Sequence, residues 1–221
     1  MKITIITTFP KYFDEFKIHS IIKNAIEKKL VEITIIDLRD FATKGNVDDT
    51  VYGGGPGMLL LIEPLVKAIK KAKTKKTKVI LLSPHGLTYN QTRAKKFQED
   101  QNDLILVCGH YEGTDARLKY YIDEAISLGN FILTGGELGA MLIADSIIRL
   151  LPGVIKKESI LEESFENNLL EYDHYSKPID FEGHKVPDVL LSGNHQKIKK
   201  WRKQSAINNT IDLIVEEKKG N

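Results

Sequence analysis

Gly53, Gly54, Gly55 and Gly57 fill four of five consecutive positions in VYGGGPGM (51–58). Glycine loses more conformational freedom on folding than any other residue, so such a run must serve something that needs backbone free of side chains. Three further stretches share the trait: LSPHG (82–86), CGHYEG (108–113) and SLGNFILTGGELGA (127–140). Bare N–H and C=O groups can read the edge of a planar heterocycle or hold an amino-acid carboxylate. An ordinary tight turn explains any one of these stretches; four at strand ends make that explanation weaker.

Two charged groupings add to this. In ELGAMLIADSIIRLL, Asp145 and Arg149 are four apart and share a helix face. A surface ion pair of small worth is one reading. The same face carries Leu138, Met141 and Leu142, and a charge pair on an apolar stripe more often serves a site. KIKKWRK (197–203) holds five basic residues and no acidic one. Ile198 and Trp201 can anchor this helix while the lysines and Arg202 face outward, a footprint suited to a phosphate backbone. A merely solvated helix is the alternative. The lysine-rich KAIKKAKTKKTK (67–78) reads first as a solvated helix end, with cations favoured by the C-terminal dipole, and second as an RNA contact.

Several chemistries are excluded. Gly57 is followed by Met58 and Leu59, not the Lys-Ser/Thr of a phosphate-binding P-loop. The first strand ends TTFPKYF, without the glycines of a dinucleotide fold. No CxxC or HxxxH spacing marks a zinc site, and no GxSxG marks a nucleophile elbow.

The elements that must position these residues are legible as runs. Apolar, β-branched segments at Ile3–Phe9, Ile33–Leu38, Val79–Leu82, Leu104–Cys108 and Phe131–Leu133 alternate with helical patterns near 15–30, 63–72, 88–100, 114–122 and 137–151. This predicts an α/β fold with a mostly parallel sheet covered on both faces. Ligands of such sheets bind beyond the carboxyl ends of the strands, where the glycine loops fall. The organisation expected is a domain over 1–157, an acidic flexible linker over 158–173 with six acidic residues and no basic one, and a small helical domain over 174–221. The net charge of +2 is too small to name a partner, and the single Cys108 fits a reducing compartment. MKITIITTFP reads as a strand, not a signal peptide, and no apolar run reaches membrane-spanning length. A cytoplasmic protein is expected.

VDDTVYGGGPGM, LSPHG, LVCGHYEGTDAR, LTGGEL, DSIIRLLPGV, EESF, HYSKP and VPDVLLSGNH…KKWR occur in an order and spacing that resemble the bacterial tRNA (guanine-N1)-methyltransferases of the SPOUT superfamily. The resemblance covers nearly the whole chain. It implies a deep trefoil knot in the first domain, a homodimer with active sites shared between subunits, S-adenosylmethionine as methyl donor and magnesium as an assisting ion. The substrate implied is the guanosine just 3′ of the tRNA anticodon. The donor would lie against Pro84, Gly109, Tyr111, Gly113, Ser127, Leu128, Gly129, Phe131, Leu133, Gly135 and Gly136. Guanine would lie near Gly57, Asp48 and Glu112, with Asp145, Lys199, Lys200 and Arg202 also on the tRNA side. Glu163 would be the base and Arg149 the stabilising cation. The family's acid is usually aspartate; Glu163 adds one methylene, about 1.5 Å of reach, and Glu162 is its neighbour. A ribose 2′-O-methyltransferase and a non-catalytic RNA-binding protein are the alternatives.

Overall fold

A computed structural model describes residues 1–156, 159, 160, 163–165 and 168–220. They fall into two compact units, Met1–Ile155 and Lys156–Asn221.

The first unit is built on β1 (Lys2–Thr7), β2 (Glu32–Asp37), β5 (Thr77–Thr88), β6 (Asp103–Cys108) and β7 (Glu124–Ser127). These form a five-stranded sheet in the order β2-β1-β6-β5-β7, with every pairing parallel. Period-two alternation sorts the apolar runs onto its faces. Ile3, Ile5, Leu104, Leu106 and Cys108 join one core cluster with Phe97, Ile143 and Ile147. Ile6, Ile105, Val107 and Val79 join the other, with Leu65 and Ile69. The helices supplying those partners are α3 (Ile62–Ala72) for the second cluster, and α4 (Gln91–Asp100) and α5 (Glu137–Ile148) for the first. Two short helices, α1 (Asp14–Ile18) and α2 (Ser20–Glu27), follow β1. β3 (Asp48–Thr50) and β4 (Met58–Leu60) make a separate antiparallel pair that carries the Gly53–Gly57 run at its tip.

The differences from the sequence reading have local causes. The fifth strand is β7, not Phe131–Leu133. The EAIS sequence of β7 is short and opens on Glu124, which is drawn inward by Lys78 at 2.6 Å and by Arg93. Phe131–Leu133 forms no strand and stays exposed, Ile132 at 81%. The helical pattern near 114–122 yields only a 3-10 turn at Ala116–Tyr120, capped by the Asp115 carboxylate, which accepts from Arg117 N at 2.8 Å. The 15–30 pattern breaks at His19, whose backbone is extended. LSPHG does not end its strand. β5 continues beyond it, and Leu82 and Leu87 both pair with Ile126, so 83–86 is an excursion from one strand.

In the second unit, β8 (Asp180–Phe181) pairs with β9 (His184–Lys185), followed by α6 (Asp188–Leu191) and α7 (His195–Gly220). The last residues of the acidic stretch are held to α7. Leu170 N donates to Thr210 Oγ1 (2.9 Å), Asp173 N to Ser205 Oγ (3.0 Å), and Asn209 Nδ2 to the Glu171 carbonyl (2.9 Å). Other parts of that stretch, Glu162 among them, lie outside the described residues. No described helix is long and apolar enough to cross a membrane.

Candidate active site

Beyond the carboxyl ends of β6 and β7, and beside the 83–86 excursion of β5, lies a cavity of about 290 Å³. Its walls come from separate stretches of sequence, 81–84, 109–114, 126–128 and 131–136, with Gly139 behind them. Pro84, Gly109, Tyr111, Gly113, Ser127, Leu128, Phe131, Leu133, Gly135 and Gly136 all line it. Gly129 does not. It sits just behind the wall, where its N–H donates to Ser127 Oγ at 3.2 Å. The walls close because side chains are missing. A Cβ on Gly136 would lie 2.8 Å from Cys108 Cα, and one on Gly86 would run into the backbone of Ile126. Gly136 N donates to the Gly109 carbonyl at 2.8 Å, stitching the returning loop to the end of β6.

The Gly53–Gly57 loop reaches the rim of this cavity through β4. Glu112 N donates to the Met58 carbonyl and Leu60 N to that of Gly113, each at 3.0 Å. Gly57 has φ +83°, and a Cβ there would strike the Glu112 side chain, itself part of the cavity lining. Asp48 pairs with Leu60 on the adjacent strand, half-buried. The structure thus brings Gly57 and Glu112 together at the rim, with Asp48 one strand away.

Asp145 and Arg149 stand apart from the cavity within their own chain. Arg149 caps the far end of α5, about 18 Å along the helix from Glu137 at 1.5 Å per residue. Its N–H donates to the Asp145 carbonyl at 3.0 Å. Asp145 is exposed and Arg149 half-buried. Glu163, half-buried, belongs to the second unit. Lys199, Lys200 and Arg202 lie exposed on α7, while Ile198 and Trp201 turn partly inward. The Arg202 guanidinium stacks over Tyr172 at 4.7 Å.

Residues 1–215 match the tRNA (Guanine-1)-methyltransferase TrmD family. The chain belongs to this family. Among similar proteins, a tRNA (guanine-N(1)-)-methyltransferase of Malacoplasma penetrans (strain HF-2) is 52% identical, with all of both chains covered. One of Mycoplasma capricolum subsp. capricolum is 53% identical over 97% of this chain and 92% of its own. One of Acholeplasma laidlawii is 50% identical over 97% and 91%.

Family membership gives the cavity a cargo to be tested against, and the residues fit it. The groove has a mixed wall, apolar from Leu82, Ile126 and Leu128 and polar from glycine backbone and Ser83. That suits a nucleoside joined to an amino-acid carboxylate. Among the described residues no three His, Cys, Asp or Glu side chains converge to hold a magnesium ion.

The sequence reading missed several lining residues, among them Ser83, His110, Ile132 and Thr134. It also missed Glu137, buried at 4% exposure where α5 begins. The available signals were a charged residue directly after Gly135-Gly136 and a histidine directly after Gly109. Cys108 is also in the wall region, as a protonated thiol. Burial, with a smaller push from the Glu137 charge, raises its pKa well above the ordinary value.

Proposed function

We infer that this protein transfers a methyl group from S-adenosylmethionine to N1 of the guanosine at position 37 of tRNA, just 3′ of the anticodon, and so guards the reading frame. One observation carries the reading beyond family membership. Glycine motifs scattered over more than 50 residues converge on one cavity, and the Gly57 loop borders it through Glu112. The tRNA substrate fits a cytoplasmic enzyme.

Guanine N1 carries a proton and is a poor nucleophile at neutral pH. When bound, the donor supplies an electrophilic methyl on a sulfonium. The N1–methyl bond forms as the sulfur–methyl bond breaks, the N1 proton passes to Glu163 as general base, and charge developing toward O6 is met by Arg149. The Gly53–Gly57 loop offers bare backbone to an extruded base, whose removal from its stack is a general need of such enzymes. Asp48, Glu112 and Asp145 flank the base, while Lys199, Lys200 and Arg202 on α7 take the phosphates. In this reading 1–157 holds the donor, 158–173 is a linker bringing Glu163 to the reaction, and 174–221 grips tRNA.

Two further features belong to the reading. Arg149 lies far from the cavity of its own chain, which favours a homodimer that completes each site with its partner's residues. The exposed apolar face of α5, with Leu138 at 54% and Leu142 at 47%, supports that dimer. The segment 128–136 returns to the end of β6 after β7 has paired with β5, as the threaded segment of a deep trefoil knot would.

The test is methyl transfer from labelled S-adenosylmethionine to an unmodified tRNA transcript. Label should reach guanosine 37 and disappear when that base is adenosine. Glu163→Gln should remove nearly all turnover. Label on a ribose, or none, overturns the reading.

A further inference from the structure

Behind the glycine wall, three parts of the chain meet at one buried carboxylate. Thr7, the last residue of β1, donates its hydroxyl to Glu137 Oε1 at 2.7 Å across 130 residues of sequence. The same hydroxyl oxygen accepts from Phe9 N at 2.9 Å, so its position is fixed from both sides. The second oxygen, Glu137 Oε2, lies 3.8 Å from His110 Nδ1. That distance is too long for a hydrogen bond, and the Nδ1 atom is buried without a hydrogen-bond partner. His110 is boxed between the rings of Phe9 (4.7 Å between centroids) and Tyr111 (4.8 Å). The Arg39 guanidinium lies over the Phe9 ring at 5.6 Å. Gly135 pairs with His110 through an isolated bridge, and a Cβ on Gly135 would run into both Glu137 Oε2 and His110 Nδ1. His110, Gly135 and Gly136 line the cavity; Glu137 does not.

A buried carboxylate is costly unless its oxygens are satisfied. The first turn of α5 offsets part of that cost through its free N–H groups and dipole, and Thr7 satisfies one oxygen. The other faces the unsatisfied imidazole nitrogen of His110 at 3.8 Å, roughly 1 Å beyond hydrogen-bond reach. Gly135 is wedged between them.

We propose that Glu137 is a positioning residue for the methyl-donor cavity: anchored by Thr7, it seats His110 and through it the Gly135–Gly136 wall, and a bound donor draws the Glu137–His110 gap into a hydrogen bond. This rests on the reading of the cavity as the donor site. Glu137 touches neither donor nor guanine, so its loss raises the KM for the donor more than it lowers kcat.

The test uses the full-length protein and S-adenosylhomocysteine, the demethylated donor, as calorimetric probe. Glu137→Met removes both polar contacts and should weaken binding about tenfold or more. Glu137→Gln keeps an acceptor for Thr7 and offers an N–H to His110, and should stay within about threefold of the wild type. Thr7→Val cuts the anchor alone and should fall between, which keeps the test open if Glu137→Met does not fold. In the ¹⁵N spectrum of histidine-labelled wild type, the His110 Nδ1 signal should move on probe binding, and this shift should vanish in folded Glu137→Met. Wild-type affinity in folded Glu137→Met, or in Thr7→Val, overturns the proposal and leaves the donor site standing. A wild type that does not bind the probe overturns both.

Discussion

Two glycine groups in this molecule are glycine for opposite reasons. At Gly53, Gly54 and Gly55 a Cβ would meet nothing within 4 Å, but φ values of +90°, +79° and +133° place the backbone where side chains are strained. At Gly135 and Gly136 no such backbone angle applies, yet a Cβ would drive into Glu137, His110 or Cys108. The first group is a free-standing curve with open space around it; the second is a wall already pressed against protein. Open space beside bare backbone is what a visiting base needs. A packed wall is what a donor cavity of fixed shape needs. Gly57 combines both properties, with φ +83° and the Glu112 side chain against it.

This contrast can be broken by substitution. Gly57→Val should give the largest effect, abolishing methyl transfer while S-adenosylhomocysteine binding, read by calorimetry, stays largely intact. Loss of both would make Gly57 a folding residue and erase the distinction. Gly136→Ala should do the reverse, costing about 1–3 kcal/mol of overpacking against Cys108, visible as a lower melting temperature and weaker probe binding. Gly54→Ala adds only backbone strain of about 1–2 kcal/mol, felt in tRNA turnover with an unchanged donor affinity. Cys108 sharpens the wall side. Buried at 3% exposure, with its thiolate disfavoured by burial, it should resist a thiol reagent at pH 8 in native protein and react on unfolding. The smallest effect concerns Tyr89, packed against the first core cluster, whose hydroxyl lies 2.6 Å from Ser146 Oγ. Burial outweighs that hydrogen bond and pushes its pKa from 10.0 to about 12. A raised folded-state value means that its contribution to stability is complete below pH 10 and is lost as pH climbs toward 12. Denaturation of Tyr89→Phe should show a correspondingly flatter stability profile over that window.

Much of the fold was legible because its determinants are local. β6 is a continuous apolar run after Asp103, β1 and β2 are isoleucine-rich runs broken only by a threonine, and a parallel sheet buries both faces of such strands. β7 was not legible, since the acidic residue opening it is drawn in by ion pairs with Lys78 and Arg93 from elsewhere in the chain. Phe131–Leu133 misled for the opposite reason: its residues are apolar because Phe131, Ile132 and Leu133 wall a cavity, not because they fill a core. The glycine loops other than LSPHG, which lies within β5, could be assigned to strand ends. That they converge on one cavity depends on long-range pairing that no local pattern encodes. Glu137 and His110 escaped because their meaning is mutual: each is an ordinary charged or aromatic residue until Gly135 is seen wedged between them.

The excursion at 83–86 sets where this cavity can adapt. Leu82 and Leu87 share the single partner Ile126, and the Gly86 backbone is pressed on that residue. Residues 83–86 therefore form a ring clasped at its base, whose two feet cannot separate without tearing β7 from the sheet. Pro84 and Ser83 present a rigid edge to any occupant. Accommodation has to come from the opposite bank, where Phe131, Ile132 and Leu133 carry no strand pairing, so relatives that accept bulkier donor analogues should differ there and keep the clasp.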